Sequence, residues 1–344
     1  MGRFRQGLIA ALLFLAALLL ADPASADDAE TCTNSTGDEA IEACTRAVAS
    51  GEYDGNNIAI LMTNRGVAYR AKGDYDRAIA DFDEAIRLNP QYALAFNNRG
   101  LTYHAKGNND RAIADYDEAI RLNPQDAIAF VNRGVAYRKK GDNDRAIADY
   151  DEAIRLNPQE AIFYNRGLAY SQKGDRDRAI ADYDQVIRLN PGYRRAYFER
   201  GRLYLYSGTY AKAQSDFKQA SDLDPSNAYL ALWLDIAERR NNSPSHLAQA
   251  VKRLDMKAWP APVVRLFLGE MTQAAVLAAA DDKNPETKRG QVCEVNFFGG
   301  ELALTKRKKD EAIRLFRSAA KNCPKSFIEW YGAMAELKAL GITP

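Results

Sequence analysis

Residues 98–124 read NRGLTYHAKGNNDRAIADYDEAIRLNP, and residues 132–158 read NRGVAYRKKGDNDRAIADYDEAIRLNP. Two stretches this alike, one after the other, are two copies of one structural unit. The same opening recurs upstream at Asn64-Arg65-Gly66 and downstream at Asn165-Arg166-Gly167, so that successive copies are spaced by 34, 34 and 33 residues. A fifth copy opens at Glu199-Arg200-Gly201. A fixed period of this length is the mark of a stacked repeat architecture. Within a copy, Gly66 and Ala78 are small where two helices of a hairpin cross, while Tyr69 and Phe82 fill the space beside them. Gly73 suits the left-handed residue past a helix C-terminus, Asp74 or Asp76 can cap the next helix, and Asn89-Pro90 ends it. One such hairpin cannot hide both of its apolar faces, so the copies must stack.

The period and its internal pattern resemble the tetratricopeptide repeat. The first copy gives Gly66, Tyr69, Ala78, Phe82, Ala85 and Pro90, the second Gly100, Tyr103, Ala112, Tyr116, Ala119 and Pro124, the third Gly134, Tyr137, Ala146, Tyr150, Ala153 and Pro158. Copies four and five keep the scheme, with Val186 standing in one place for Ala. The resemblance implies an all-α fold, a tetratricopeptide-repeat superhelix, or α-solenoid of helical hairpins, with a concave and a convex side.

Upstream, Asp38–Ala49 reads as a lone second helix covering the open face of the first repeat. Downstream, helical spacing persists through Tyr229–Arg240, Ser245–Leu254, Pro262–Leu268 and Thr272–Ala280, and placing Pro324 on Pro90 brings Gly300, Ala312, Phe316 and Ala319 into register. Residues 293–324 are thus expected as a further hairpin, closed by a helix over Ser326–Leu340. With Leu232-Trp233-Leu234, Val264 to Gly269 and Glu294 to Gly299, residues 228–341 resemble the NlpI-type lipoproteins. That resemblance implies an envelope adaptor that brings a periplasmic protease together with peptidoglycan hydrolases. The organisation expected is a secretory signal over 1–26, a capping region over 27–58, five repeats over 59–225, and degenerate repeats over 226–344.

Arg3 and Arg5 precede an uncharged run from Gly7 to Ala21 and the small-x-small sequence Ala24-Ser25-Ala26, which reads as a cleavable export signal with the mature chain starting at Asp27. The run is about 15 residues, short of the roughly 20 of a spanning helix, so no membrane span is expected in the mature form. No cysteine ends the run, so there is no lipobox, and a periplasmic or secreted chain is the expectation. Lys plus Arg number 47 and Asp plus Glu 46, a balance that gives no electrostatic ground for nucleic acid or an anionic membrane as partner. Cys32 with Cys44 and Cys293 with Cys323 form local pairs; of three possible connectivities, the hairpin topology favours these two, as disulfides.

No phosphate loop, nucleophile elbow or paired-histidine zinc motif is present, and the two histidines, His104 and His246, lack ligand spacing, so neither catalysis, a cofactor nor a metal is expected. Asp81, Asp83 and Glu84 recur in each copy and read as a solvated helix face, with Asp83 four residues before Arg87. The functional candidates are Asn64, Asn98, Asn132 and Asn165, an amide ladder on the first helices. In the tetratricopeptide repeats that position faces the concave groove, where an amide can donate to and accept from a peptide backbone. Arg70, His104, Arg138, Lys139, Arg195 and Arg202 are expected beside it, making a basic, polar groove for an acidic peptide or a free carboxylate. The competing role for the asparagines is to satisfy a neighbouring helix, and the adjoining arginines are expected to pair with Asp81-type residues. The function expected is a scaffold that holds proteins or extended peptides and docks a second partner, or a second copy, through its C-terminal region; a subunit of an export or outer-membrane assembly apparatus is the alternative.

Overall fold

The computed structural model describes residues 23–343, where all regular structure is helical. The expected signal segment lies outside the described residues except for its last four, which open the first helix. By their contacts the helices form two compact units, one ending at Gly174 and one beginning at Asp175.

The first unit comprises α1 (Pro23–Asn34), α2 (Gly37–Ala49), α3 (Gly55–Ala71), α4 (Tyr75–Leu88), α5 (Ala93–Ala105), α6 (Asn109–Leu122), α7 (Ala127–Lys139), α8 (Asn143–Leu156) and α9 (Glu160–Lys173). The pairs α1/α2, α3/α4, α5/α6 and α7/α8 pack as hairpins, and each hairpin packs on the next. A Cβ placed on Gly100 would lie 2.7 Å from the Tyr116 ring, and one on Gly134 2.8 Å from Tyr150, so the close crossing requires glycine. Gly73, at φ 78°, ends the first helix, and Asp74 rather than Asp76 caps the second by accepting from the Arg77 amide at 3.2 Å.

The arginine of each opening triplet staples the stack. Arg99 donates from Nε and Nη2 to Asp115 of its own hairpin at 2.9 and 2.6 Å, and from Nη1 to Asp83 of the preceding one at 2.6 Å. Arg133 repeats this with Asp149 and Asp117. The expected pairing of these arginines with Asp81-type residues is therefore present. The reading of all three acids as one solvated face is corrected: Asp81 and its counterparts are buried, Asp83 reaches Arg99, and Arg87 pairs with Glu84 instead. Burial pushes the Asp115 carboxyl up while the Arg99 guanidinium pulls it down.

The N-terminal cap is a full hairpin, not a lone helix. α1 packs on α2 and α3, and the Cys32–Cys44 disulfide joins α1 to α2 within a core of Ala43, Ala47, Tyr53 and Leu61. Its first helix escapes a search for the repeat because it carries none of the repeat's Gly or Tyr positions.

The second unit comprises α10 (Arg176–Leu189), α11 (Arg194–Tyr206), α12 (Tyr210–Leu223), α13 (Ala228–Arg240), α14 (Leu247–Ala250), α15 (Ala261–Leu268), α16 (Gln273–Ala279), α17 (Pro285–Thr305), α18 (Lys309–Asn322) and α19 (Ile328–Ala339). The expected helix Ser245–Leu254 shrinks to α14 and one 3-10 turn over Val251–Arg253. One core runs without interruption from Leu205 and Phe217 of the fifth repeat through Trp233, Phe267, Phe298 and Phe316 to Leu337. Cys293 and Cys323 are joined as expected, but Cys293 sits well inside α17, eight residues after its first residue Pro285. That helix starts earlier because Asn284 caps it, accepting from the Glu286 and Thr287 amides, and Pro285 suits the first helical position.

Candidate functional site

In the first unit the asparagines occupy one register on α3, α5, α7 and α9. Three of the amides are tied to the stack or to their own helix. Asn132 Nδ2 donates to Asn97 Oδ1 of the preceding repeat at 3.0 Å, Asn64 Nδ2 to Thr33 Oγ1 of the cap at 3.4 Å, and Asn98 Nδ2 to the Leu94 carbonyl at 3.0 Å. Asn165 is half-buried. The neighbouring-helix role is thus real for Asn64 and Asn132. An asparagine has two amide protons and an acceptor, so the half-buried Asn64 and Asn132 keep capacity for a ligand, whereas Asn98 is buried and does not present its amide.

What the sequence reading overlooked is apolar. Four residues before and three after each asparagine, on the same helical face, stand Ile60 and Val67, Leu94 and Leu101, Ile128 and Val135, Ala161 and Leu168. Leu94 is 48% and Ile128 64% exposed, among the largest exposures of any big hydrophobic side chain in the described residues. The face is therefore an amide ladder flanked by aliphatic steps. The column is visible in the sequence, but exposure is what sets Leu94, Ile128 and Ala161 apart from core, while Ile60, Val67, Leu101, Val135 and Leu168 are half-buried.

Around this face Arg70, His104 and Arg138 are half-buried and Lys139 is exposed. Arg70 lies near Tyr116 and Arg138 near Tyr150; burial pushes both phenols up, Tyr150 to about 12, and each guanidinium pulls its neighbour partly back. His104 Nδ1 is 2.7 Å from Asn109 Oδ1, a bond across the turn of its own hairpin. These side chains make the first unit's face basic.

The second unit does not continue this face. In the asparagine register stand Glu199 on α11, Trp233 on α13 and Phe298 on α17; the two aromatics are fully buried. Trp233 meets Phe198, Tyr206, Phe217, Phe297 and Phe298 at centroid distances of 5.5 to 6.4 Å. Aromatic rings in place of amides turn an open face into a filled core. The expectation that Arg202 lines a groove is corrected: its side chain is 12% exposed, bonds Glu199 at 2.9 Å and stacks near Phe198 and Trp233. Arg195, in register with Leu94 and Ile128, is exposed.

Among the described residues no cluster of His, Cys, Asp or Glu could hold a metal ion, and no helix is long and apolar enough to cross a membrane. A sequence model of the tetratricopeptide repeat matches residues 63–127, 98–161 and 164–228. Among solved structures the chain is similar to MamA, at 30% identity over 46% of this chain and 94% of that one, with a TM-score of 0.45. It is similar also to YrrB, described as a TPR protein with an unusual peptide-binding site, at 25% identity over 56% and 97% with a TM-score of 0.47. PilW, described as a type IV pilus biogenesis factor, matches at 16% identity over 81% and 99% with a TM-score of 0.48. Residues 63–228 thus carry tetratricopeptide repeats, stacked hairpin on hairpin.

Proposed function

We propose that the protein is a non-enzymatic adaptor, exported to the bacterial cell envelope, that holds client proteins or extended peptides on the asparagine face of its first unit. The observation that carries this reading is the exposure of Leu94 and Ile128 beside tied amides, on a row of first helices that also carries Arg70, Arg138 and Lys139. Exposed aliphatic side chains in register through a stack mark a surface that gains by being covered. The amides give a guest backbone its register, and the basic rim favours a guest with carboxylates. Export rests on Arg3, Arg5 and the apolar run after them, and the NlpI-type pattern of residues 228–341 points to envelope proteases and peptidoglycan hydrolases as clients.

The test is recovery of partners from an envelope extract by the chain beginning at Asp27, against a Leu94→Asp/Ile128→Asp variant. Both sites are surface positions, so the variant keeps its helical circular dichroism. At least one partner is expected to drop tenfold or more. Undiminished recovery of every partner by the folded variant would remove this face from the mechanism.

A further inference from the structure

The C-terminal helix α19 packs on α11, α17 and α18, and the contact is close: a Cβ on Gly332 would lie 2.6 Å from the Phe297 ring and still nearer the Tyr206 hydroxyl. The charges at this contact do not balance. Glu336 of α19 and Glu301 of α17 share Arg240 Nη2 of α13 at 3.0 and 2.9 Å, with Tyr206 and Tyr210 alongside. Glu329 of α19 is buried facing Glu294 of α17 and Arg202 of α11, and Arg202 is already bonded to Glu199. Glu294 Oε2 accepts from the Tyr229 hydroxyl at 2.9 Å and from Trp259 Nε1 at 2.7 Å. The cations of α18, Arg314, Arg317 and Lys321, are exposed. The remaining buried acids of α13 are engaged elsewhere, Asp235 with Arg239 and Glu238 with His246. Five carboxyls thus meet two guanidiniums where α19 docks.

We propose that α19 is a titratable clasp on the second unit, held firmly while Glu294, Glu329 and Glu336 carry protons and loosened, uncovering the aromatic surface around Phe297 and Tyr206, as they ionise. A buried carboxylate without its own cation is costly, and undocking returns it to water. Burial pushes Glu294 up to about 7, with the charge of Glu329 adding to the rise and Trp259 and Tyr229 opposing it. Burial raises Glu329 as well, against the pull of Arg202, and raises Glu336, where Glu301 adds and Arg240 opposes. These are acids whose docked pKa lies above the ordinary value. Their contribution to docking is complete below about pH 4.5; that of Glu294 is lost as pH rises through about 7 and that of Glu336 through about 8. Each unit of displacement is about a factor of ten in the undocking equilibrium.

Amide hydrogen exchange of residues 328–339 in the full chain, measured at pH 5 and pH 8 and corrected for intrinsic exchange, tests the clasp. Opening of α19 is expected to be at least tenfold more frequent at pH 8, while the amides of α5 to α8 keep their protection. A Glu294→Gln/Glu336→Gln variant is expected to lose the difference. Equal protection of α19 at the two pH values in the unmodified chain would overturn the proposal, and so would a folded variant that keeps the full pH dependence.

Discussion

Replacing Trp233 by alanine is expected to cost about 4 kcal/mol of the stability of the second unit, the loss typical of a large aromatic deleted from a core that cannot collapse around it. Trp233 is fully buried and touches rings from α11, α12 and α17, so its removal leaves a void at the junction of three helices. Trp259 and Trp330 remain in the same unit as fluorescent reporters of urea unfolding. Amide protection in α5 to α8 should be unchanged, because each repeat leans on its neighbours alone. A loss below about 1 kcal/mol would mean that the aromatic core is not what closes this unit.

Arg133→Ala is expected to destabilise the first unit by about 3 kcal/mol. The substitution strands Asp149, whose side chain is 6% exposed, and also releases Asp117 of the preceding hairpin. Most of that effect is the uncompensated carboxylate, not the attraction lost. Converting Arg133→Met together with Asp149→Leu should therefore recover much of the stability, since an apolar pair of similar volume escapes the desolvation penalty. Denaturant midpoints of the single and double variants check both statements. A double variant no better than Arg133→Ala would place the energy in the ion pair itself.

The repeats were legible in the sequence because their spacing rules are local. Gly100 against Tyr116, Gly73 beyond a helix end and Asn89-Pro90 after one each state a backbone requirement within a few residues. The hairpin partner of α2 was not legible, since α1 carries no repeat position and is held by Cys32 and by contact with Leu61. Past Pro225, Trp233 and Phe298 continue the register of Asn98 and Asn132, but as rings they join the fifth repeat to everything that follows. The same substitution explains why Arg202, sound as a groove residue by position, is covered. The aliphatic steps at Leu94 and Ile128 were visible in the sequence, yet only their exposure distinguishes them from core.

Client binding depends on one asymmetry, exposed aliphatic side chains at Leu94 and Ile128 in the first unit where the second unit has filled the asparagine register with buried rings at Trp233 and Phe298. Site-specific photocrosslinking in intact cells tests it most directly. A photoreactive residue at position 94 or 128 should form adducts with a partner protein, while one at the exposed position 87 on the second helix of a repeat should not. Adducts with the same partner from position 87 and none from 94 or 128 would contradict it.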